Sequence, residues 1–149
     1  MNLFDWLRLK VIPWYTALGL TQRTVTLEVM GRRTGKPIRV SLSRTDHLGR
    51  SYFVSLAGES EWVRNVRAAQ GKATILSRRR NPVRLVETAP EERAPILLAY
   101  VQARAFTHSS AQSARHFFGL GPHPTLEQME AIANRYIVFE IVPTHIPGK

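Results

Sequence analysis

A short basic stretch, GRRTGKPIRV, spans residues 31–40 and holds the side chains best suited to binding an anion. Its cations are Arg32, Arg33, Lys36 and Arg39. Guanidinium forks bind the oxygens of phosphates and carboxylates in pairs, and Thr34 adds a hydroxyl group. Gly31 and Gly35 allow the backbone to approach a ligand closely. We therefore predict that this stretch binds a phosphorylated ligand, with a solvated turn as the alternative.

A second candidate, LAGESEWVRN, spans residues 56–65. Trp62 and Asn65 are three residues apart, which places them on one face of a predicted helix. An indole offers a flat apolar wall, and an amide can form hydrogen bonds with a heterocycle. The pair favours a flavin-like ring as ligand. The alternative is that Trp62 belongs to the hydrophobic core.

Several common catalytic signatures are missing from the sequence. It has no cysteine, which excludes zinc–thiolate sites, iron–sulfur clusters, thiol nucleophiles and disulfides. Its five histidines form no HExxH pattern, so we expect no metal. No GxSxG turn, P-loop or GxGxxG motif is present, which disfavours hydrolases and ATPases. The lack of cysteine suits a reducing compartment, and we expect the cytoplasm.

The net charge of +10 favours a polyanionic partner. Nucleic acid, an acidic lipid surface and a small ligand with phosphates or carboxylates all fit such a charge. Nucleic acid ranks last, because few aromatic residues lie among the basic ones. A disordered basic tail is excluded by the 44% content of apolar residues.

The pattern of apolar residues predicts an α+β fold in one domain over residues 1–149. Alternation of apolar and polar residues predicts six strands, at 24–30, 38–44, 51–57, 72–77, 82–89 and 135–143. A short helix is predicted after the third strand, at 59–71, and a late helical segment at 90–133. We expect mostly antiparallel strands that close into a small barrel.

Residues 1–20 are predicted to form an amphipathic helical extension. Its apolar face carries Leu3, Phe4, Leu7, Val11 and Trp14. Charged residues interrupt the stretch, so neither an export signal nor a membrane-spanning helix is expected. The apolar face either docks on the domain or anchors it at an anionic membrane surface.

Two motifs in this order, GRRTGKPIRVSL and then LAGESEWVRNVRAAQG, resemble those of the deazaflavin-dependent nitroreductase family. The likeness extends over about residues 25–142. It implies a split β-barrel, membership of the oxidoreductases, and the 8-hydroxy-5-deazaflavin coenzyme F-420. Family members often have an arginine directly after the proline of this loop, whereas this chain has Ile38 and then Arg39.

The resemblance also implies roles for particular residues. The phosphate and acidic tail of the coenzyme would be bound by Gly31, Arg32, Arg33, Thr34 and Gly35, with Arg39 as a tail contact shifted by one residue. Trp62 and Asn65 would lie near the deazaflavin ring. The same groove would be lined by the backbone amides of Ser55, Ala57 and Gly58.

The implied reaction is hydride transfer from reduced deazaflavin to a quinone, nitroaromatic or activated alkene. The sequence identifies no catalytic residue; water, Ser43 or His116 could supply a proton. FMN is the second choice of cofactor. A different class is a non-catalytic fatty-acid-binding relative at the inner face of the membrane, with Phe106, Phe117 and Phe118 lining its groove. Exposed barrel edges would also suit a homodimer.

Overall fold

The computed structural model describes residues 24–77, 79–102 and 124–144. The predicted amino-terminal helix over residues 1–20 lies outside these residues. Residues 103–123, in the middle of the predicted late helical segment, also lie outside them. This range contains Phe106, His116, Phe117 and Phe118.

The described residues form six strands that close into one antiparallel barrel, in the order β1-β2-β3-β6-β5-β4. The bounds are β1 Thr24–Met30, β2 Pro37–His47, β3 Arg50–Ser55, β4 Lys72–Leu76, β5 Arg80–Glu87 and β6 Ile137–Pro143. Pairing of β4 with β1 closes the barrel. The prediction of six antiparallel strands in a closed barrel is confirmed.

Helices complete the α+β fold. They are α1 Glu61–Ala68, α2 Arg93–Gln102 and α3 Leu126–Ile132, with single 3-10 turns at Pro90–Glu92 and Ala133–Arg135. A capping box between Thr125 and Gln128 begins α3. In the part of the chain that the structure describes, no helix combines the length and apolar character needed to cross a bilayer.

Two hydrophobic clusters explain which strands are buried on both faces. The first fills the barrel, where Leu27 and Phe53 are fully buried, and Val63 and Val66 of α1 pack on it. The second joins α2 and α3 to the outer face of β3 and β6, through Val54 and Val138 among others. β3 and β6 are therefore almost continuously buried, whereas β5 alternates between buried and exposed residues.

The turn between β2 and β3 is shorter than the gap between the predicted strands at 38–44 and 51–57. β2 continues to His47, which pairs with Arg50, so only Leu48 and Gly49 make the turn. Both have positive φ, 50° and 77°, as in the two-residue turns whose twist matches that of antiparallel strands. Alternation alone did not reveal this extension, because the added residues are polar.

Candidate functional site

The basic loop connects β1 to β2, and its own backbone fixes its shape. The Gly31 amide donates to the Lys36 carbonyl at 2.8 Å, and the Gly35 amide donates to the Gly31 carbonyl at 2.9 Å. The Thr34 hydroxyl accepts from the Lys36 amide at 3.2 Å. A Cβ on Gly31 would lie 2.7 Å from Cδ1 of Ile38, and Gly35 has φ +68°. Both glycines are therefore needed for this loop shape.

Arg32 fastens the loop to α1. Oδ1 of Asn65 accepts from the Arg32 backbone amide at 3.2 Å and from Nη1 of the same residue at 2.8 Å. Nη1 also lies 2.9 Å from Oε2 of Glu61. Asn65 is only 3% exposed, so its amide is committed to this contact rather than displayed on the surface. Arg32 and Asn65 thus position the loop.

A cavity of about 510 Å³ lies between the loop and the beginning of α1. Seven of the predicted site residues line it, namely Gly31, Arg32, Arg33, Thr34, Arg39, Trp62 and Asn65. Its other lining residues are Val29, Ile38, Val40, Ser60 and Glu61. The two motifs, at residues 31–40 and 56–65 of the sequence, therefore line one cavity.

Trp62 serves both the core and the cavity. It packs against the barrel cluster, with its ring centroid 5.7 Å from that of Phe139 and the ring planes tilted by 54°. It also forms part of the cavity wall, beside Val29, Ile38 and Val40. Trp62 is therefore a core residue and a part of the cavity wall at once. Its packing in the core holds the indole rigidly at the cavity.

Four predicted site residues, Gly35, Ser55, Ala57 and Gly58, are not among the described residues that line this cavity. Ser55 is buried, and its hydroxyl donates to the Gly58 carbonyl at 2.7 Å and lies 3.2 Å from Oγ of Ser60. These contacts shape the connection from β3 to α1. Ser43, considered as a proton donor, also lies outside the described lining.

The cations of the loop differ in how they are neutralised. Arg39 is paired with Glu28, directly opposite on β1, at 3.2 Å, and Arg80 also binds Glu28. Hydrogen bonding from Arg80 and Arg39 keeps the pKa of Glu28 below its ordinary value. Within the described part of the chain, the exposed side chains of Arg33 and Lys36 form no ion pair or hydrogen bond.

Glu61 is the acidic residue of the cavity wall. Its hydrogen bond and attraction to Arg32, with further attraction to Arg33 and Arg64, hold its pKa below the ordinary value. The carboxylate is thus ionised at neutral pH. Arg33 lines the same cavity and Lys36 is exposed on the same loop, and neither forms an ion pair within the described part of the chain. The site therefore keeps a surplus of positive charge and suits a ligand with a flat apolar part and an anionic extension.

Sequence reasoning missed the contribution of Glu61 and the apolar wall. Glu61 was not among the predicted site residues, and Ile38 was noted only as a departure from the family pattern. Alternation along β1 and β2 could have placed Val29 and Val40 on the inner side. The described residues contain no group of three His, Asp or Glu side chains that could hold a metal.

Comparison with known proteins gives a family and a fold. The model of a family described as F420H(2)-dependent quinone reductase matches residues 16–114, which include the loop and α1. No curated protein sequence matches the chain.

Three solved structures share the fold. A conserved hypothetical protein from Mycobacterium tuberculosis has a TM-score of 0.55 at 14% identity, over 91% of this chain and 82% of that one. A pyridoxamine 5′-phosphate oxidase-related, FMN-binding protein from Nostoc punctiforme has a TM-score of 0.52 at 15% identity, over 91% of this chain and 82% of that one. A putative 5-nitroimidazole antibiotic resistance protein from Bacteroides thetaiotaomicron has a TM-score of 0.52 at 11% identity, over 91% of this chain and 81% of that one.

Proposed function

The chain belongs to the family of F420H(2)-dependent quinone reductases, a family of oxidoreductases, and we propose that it uses reduced coenzyme F-420 to reduce a small electron-poor molecule. The observation that carries this proposal is the joint wall of the cavity. Arg33, which forms no ion pair among the described residues, and the rigid indole of Trp62 face one space of about 510 Å³. That volume lies within the range of roughly 300–1,000 Å³ of small-molecule sites.

The residues present suit the coenzyme. An acidic tail with a phosphate needs cations that are free to pair, and Arg33 and Lys36 meet that need. A deazaflavin ring needs a flat apolar surface, which Trp62, Ile38 and Val40 supply. The loop is already rigid, so little ordering of the chain would oppose binding.

Reduced deazaflavin supplies a hydride when bound, so the protein needs no nucleophile of its own. In the proposal, Arg33 and Lys36 hold the anionic tail, Arg32 and Asn65 keep the loop in place, and Trp62 sets the depth of the ring. The apolar wall excludes water from one side of the site. Holding the ring and the acceptor in contact is the main catalytic contribution of the chain. Water is the proton source in this proposal.

A quinone is the first choice of acceptor because of the family, followed by nitroaromatics and activated alkenes. FMN stays the second choice of cofactor, since one structure with the same fold is that of an FMN-binding protein. FMN lacks the acidic tail beyond its phosphate, so it would use fewer of the loop cations. A cytoplasmic location, peripheral contact with an anionic membrane, and a homodimer remain expectations from the sequence alone.

The test is a turnover assay that follows the absorbance of reduced coenzyme F-420 with a soluble quinone, a nitroaromatic or an enone as acceptor. We expect turnover with the quinone, and a loss of roughly tenfold in kcat/KM for Trp62→Ala, about 1.4 kcal/mol of transition-state stabilisation. Reduced FMN serves as the comparison. A folded protein that binds the coenzyme but reduces none of the three acceptors would contradict the proposal.

A further inference from the structure

Glu61 places an anion inside the site that is proposed to bind an anionic tail. Its carboxylate lies 2.9 Å from Nη1 of Arg32, and both residues line the cavity. The guanidinium is therefore already engaged by an acid of the same chain. A ligand phosphate or carboxylate could use this guanidinium fully only after the Glu61 carboxylate has moved away.

The two ends of this contact differ in how firmly they are held. The Arg32 side chain is 19% exposed, and the buried Asn65 binds both its backbone amide and its Nη1. The Glu61 side chain, at the first residue of α1, is 70% exposed, and among the described residues its ion pair is with Arg32. Arg32 would thus stay in position if Glu61 swung out into solvent.

We propose that Glu61 is a specificity-determining residue, a resident anion that occupies the Arg32 subsite and that the anionic tail of a ligand must displace. The inference rests on the proposed function for the identity of the ligand. A tail with a phosphate and carboxylates carries several charges and accepts several hydrogen bonds, so it competes with Glu61 for Arg32. A ligand without such a tail leaves Glu61 in place. Glu61 therefore lowers the affinity for an anionic tail and reduces the preference for tailed over tail-less ligands.

The structure offers a matched control in Glu59, two residues earlier in the chain. Its carboxylate pairs with Nη1 of Arg67 at 3.0 Å, and its side chain is 60% exposed. Glu59 is not among the described residues that line the cavity. Glu59→Gln removes the same charge as Glu61→Gln, so it measures the general effect of a more positive protein.

The experiment is a set of fluorescence titrations of the two variants and the unaltered chain at one ionic strength. The ligands are oxidised coenzyme F-420 and its deazaflavin chromophore without phosphate and tail. We expect Glu61→Gln to bind the whole coenzyme roughly fivefold more tightly than the unaltered chain does, and more tightly than Glu59→Gln does. Its affinity for the tail-less chromophore should be unchanged. Equal affinities of the two variants for the whole coenzyme would overturn the role of Glu61.

A third ligand, inorganic pyrophosphate, separates this inference from the proposed function. If no form of the protein binds the coenzyme, the proposed function fails. Tighter binding of pyrophosphate by Glu61→Gln than by Glu59→Gln, measured by calorimetry, would still support a resident anion at Arg32. Equal binding of pyrophosphate by both variants would reject it. Thermal unfolding of each variant shows that the compared proteins are folded.

Discussion

Two clusters of arginine and glutamate residues contact α1, and they differ in charge balance. The first, here named the Glu87 network, consists of Glu59, Arg67, Glu87 and Arg93. Arg67 binds Glu87 through Nε at 2.9 Å and Nη2 at 3.0 Å, and Arg93 binds the same carboxylate at 3.2 Å. Two acids face two cations. The hydrogen bonds that Arg67 donates to Glu87 and Glu59 raise the pKa of Arg67, as expected of a satisfied network.

The second, here named the loop cluster, consists of three cations of the loop, Arg32, Arg33 and Lys36, and one acid of α1, Glu61, which pairs with Arg32. The positive surplus is not required to shape the loop, because backbone hydrogen bonds and glycines already do so. Unbalanced charge also costs stability through self-repulsion. The Glu87 network is balanced and supports the fold, whereas in the proposed function the surplus of the loop cluster serves an anionic ligand.

The largest expected effect is on stability, in the Glu87 network. Arg93 is 3% exposed and donates to the carbonyls of Thr88 at 2.9 Å and Tyr136 at 2.8 Å, besides Glu87. Arg93→Met would remove all three of these buried hydrogen bonds, and we expect a loss of about 3 kcal/mol in the free energy of unfolding, measured with urea.

The same variant tests the separation between the two clusters. Coenzyme affinity of the folded fraction of Arg93→Met should stay within about twofold of that of the unaltered chain, because Arg93 lies outside the described cavity lining. A large loss of affinity at full folding would show that the clusters are not independent.

A smaller effect on stability, joined to an effect on binding, is expected in the loop cluster. Asn65→Ala removes the acceptor of two hydrogen bonds from Arg32, and we expect a loss of about 2 kcal/mol in unfolding free energy and a clear fall in coenzyme affinity.

Asn81→Ala is the matched control. Asn81 is also buried, at 4% exposure, and its Nδ2 donates to the carbonyls of Ile75 at 3.3 Å and Arg79 at 3.1 Å. The Asn81→Ala variant should be less stable than the unaltered chain but should bind the coenzyme with the same affinity. If both variants lost affinity alike, the loss would reflect stability rather than the fastening of the loop.

The smallest effect is expected from acid. Hydrogen bonds from Arg67 hold the pKa of Glu87 below its ordinary value of 4.5. A lowered pKa in the folded state contributes stability that is present above pH 4.5 and is lost as the pH falls through the folded pKa. Urea midpoints should therefore be nearly constant from about pH 7 to 5.5 and then fall. Glu87→Gln should weaken this dependence; an unchanged slope would argue against the network.

The barrel could be predicted from the sequence because its information is local. Alternation in TVTLEVM indicated β1, and Val25, Leu27 and Val29 are indeed its buried side. Glu28 lies on the predicted polar side but is only 9% exposed, because Arg39 and Arg80 cover it. Periodicity shows which side of a strand a residue occupies, but it does not show which long side chains from other strands will cover it.

The candidate site could also be predicted in part, because some of its information is local in the sequence. Residue types and spacing indicated the loop and the pair Trp62 and Asn65, and all three line one cavity. The contact between Arg32 and Asn65 joins residues 33 positions apart and depends on how α1 crosses the barrel. The hydrogen bonds from Arg32 to Oδ1 of Asn65 were therefore not foreseen, and the predicted place of Asn65 near a ring stays a prediction. Glu61 was overlooked because its partner is equally remote in sequence.

The most direct test of the central claim is a fluorescence titration with oxidised coenzyme F-420, comparing two variants with equal loss of charge. Arg33→Ala/Lys36→Ala removes the unpaired cations of the loop. Lys72→Ala/Arg84→Ala removes an exposed pair that faces each other across β4 and β5. We predict that the first variant binds roughly tenfold more weakly, with a reduced dependence on salt, and that the second changes affinity less than about twofold. Equal losses in both would contradict the claim that the loop cluster is the anion site.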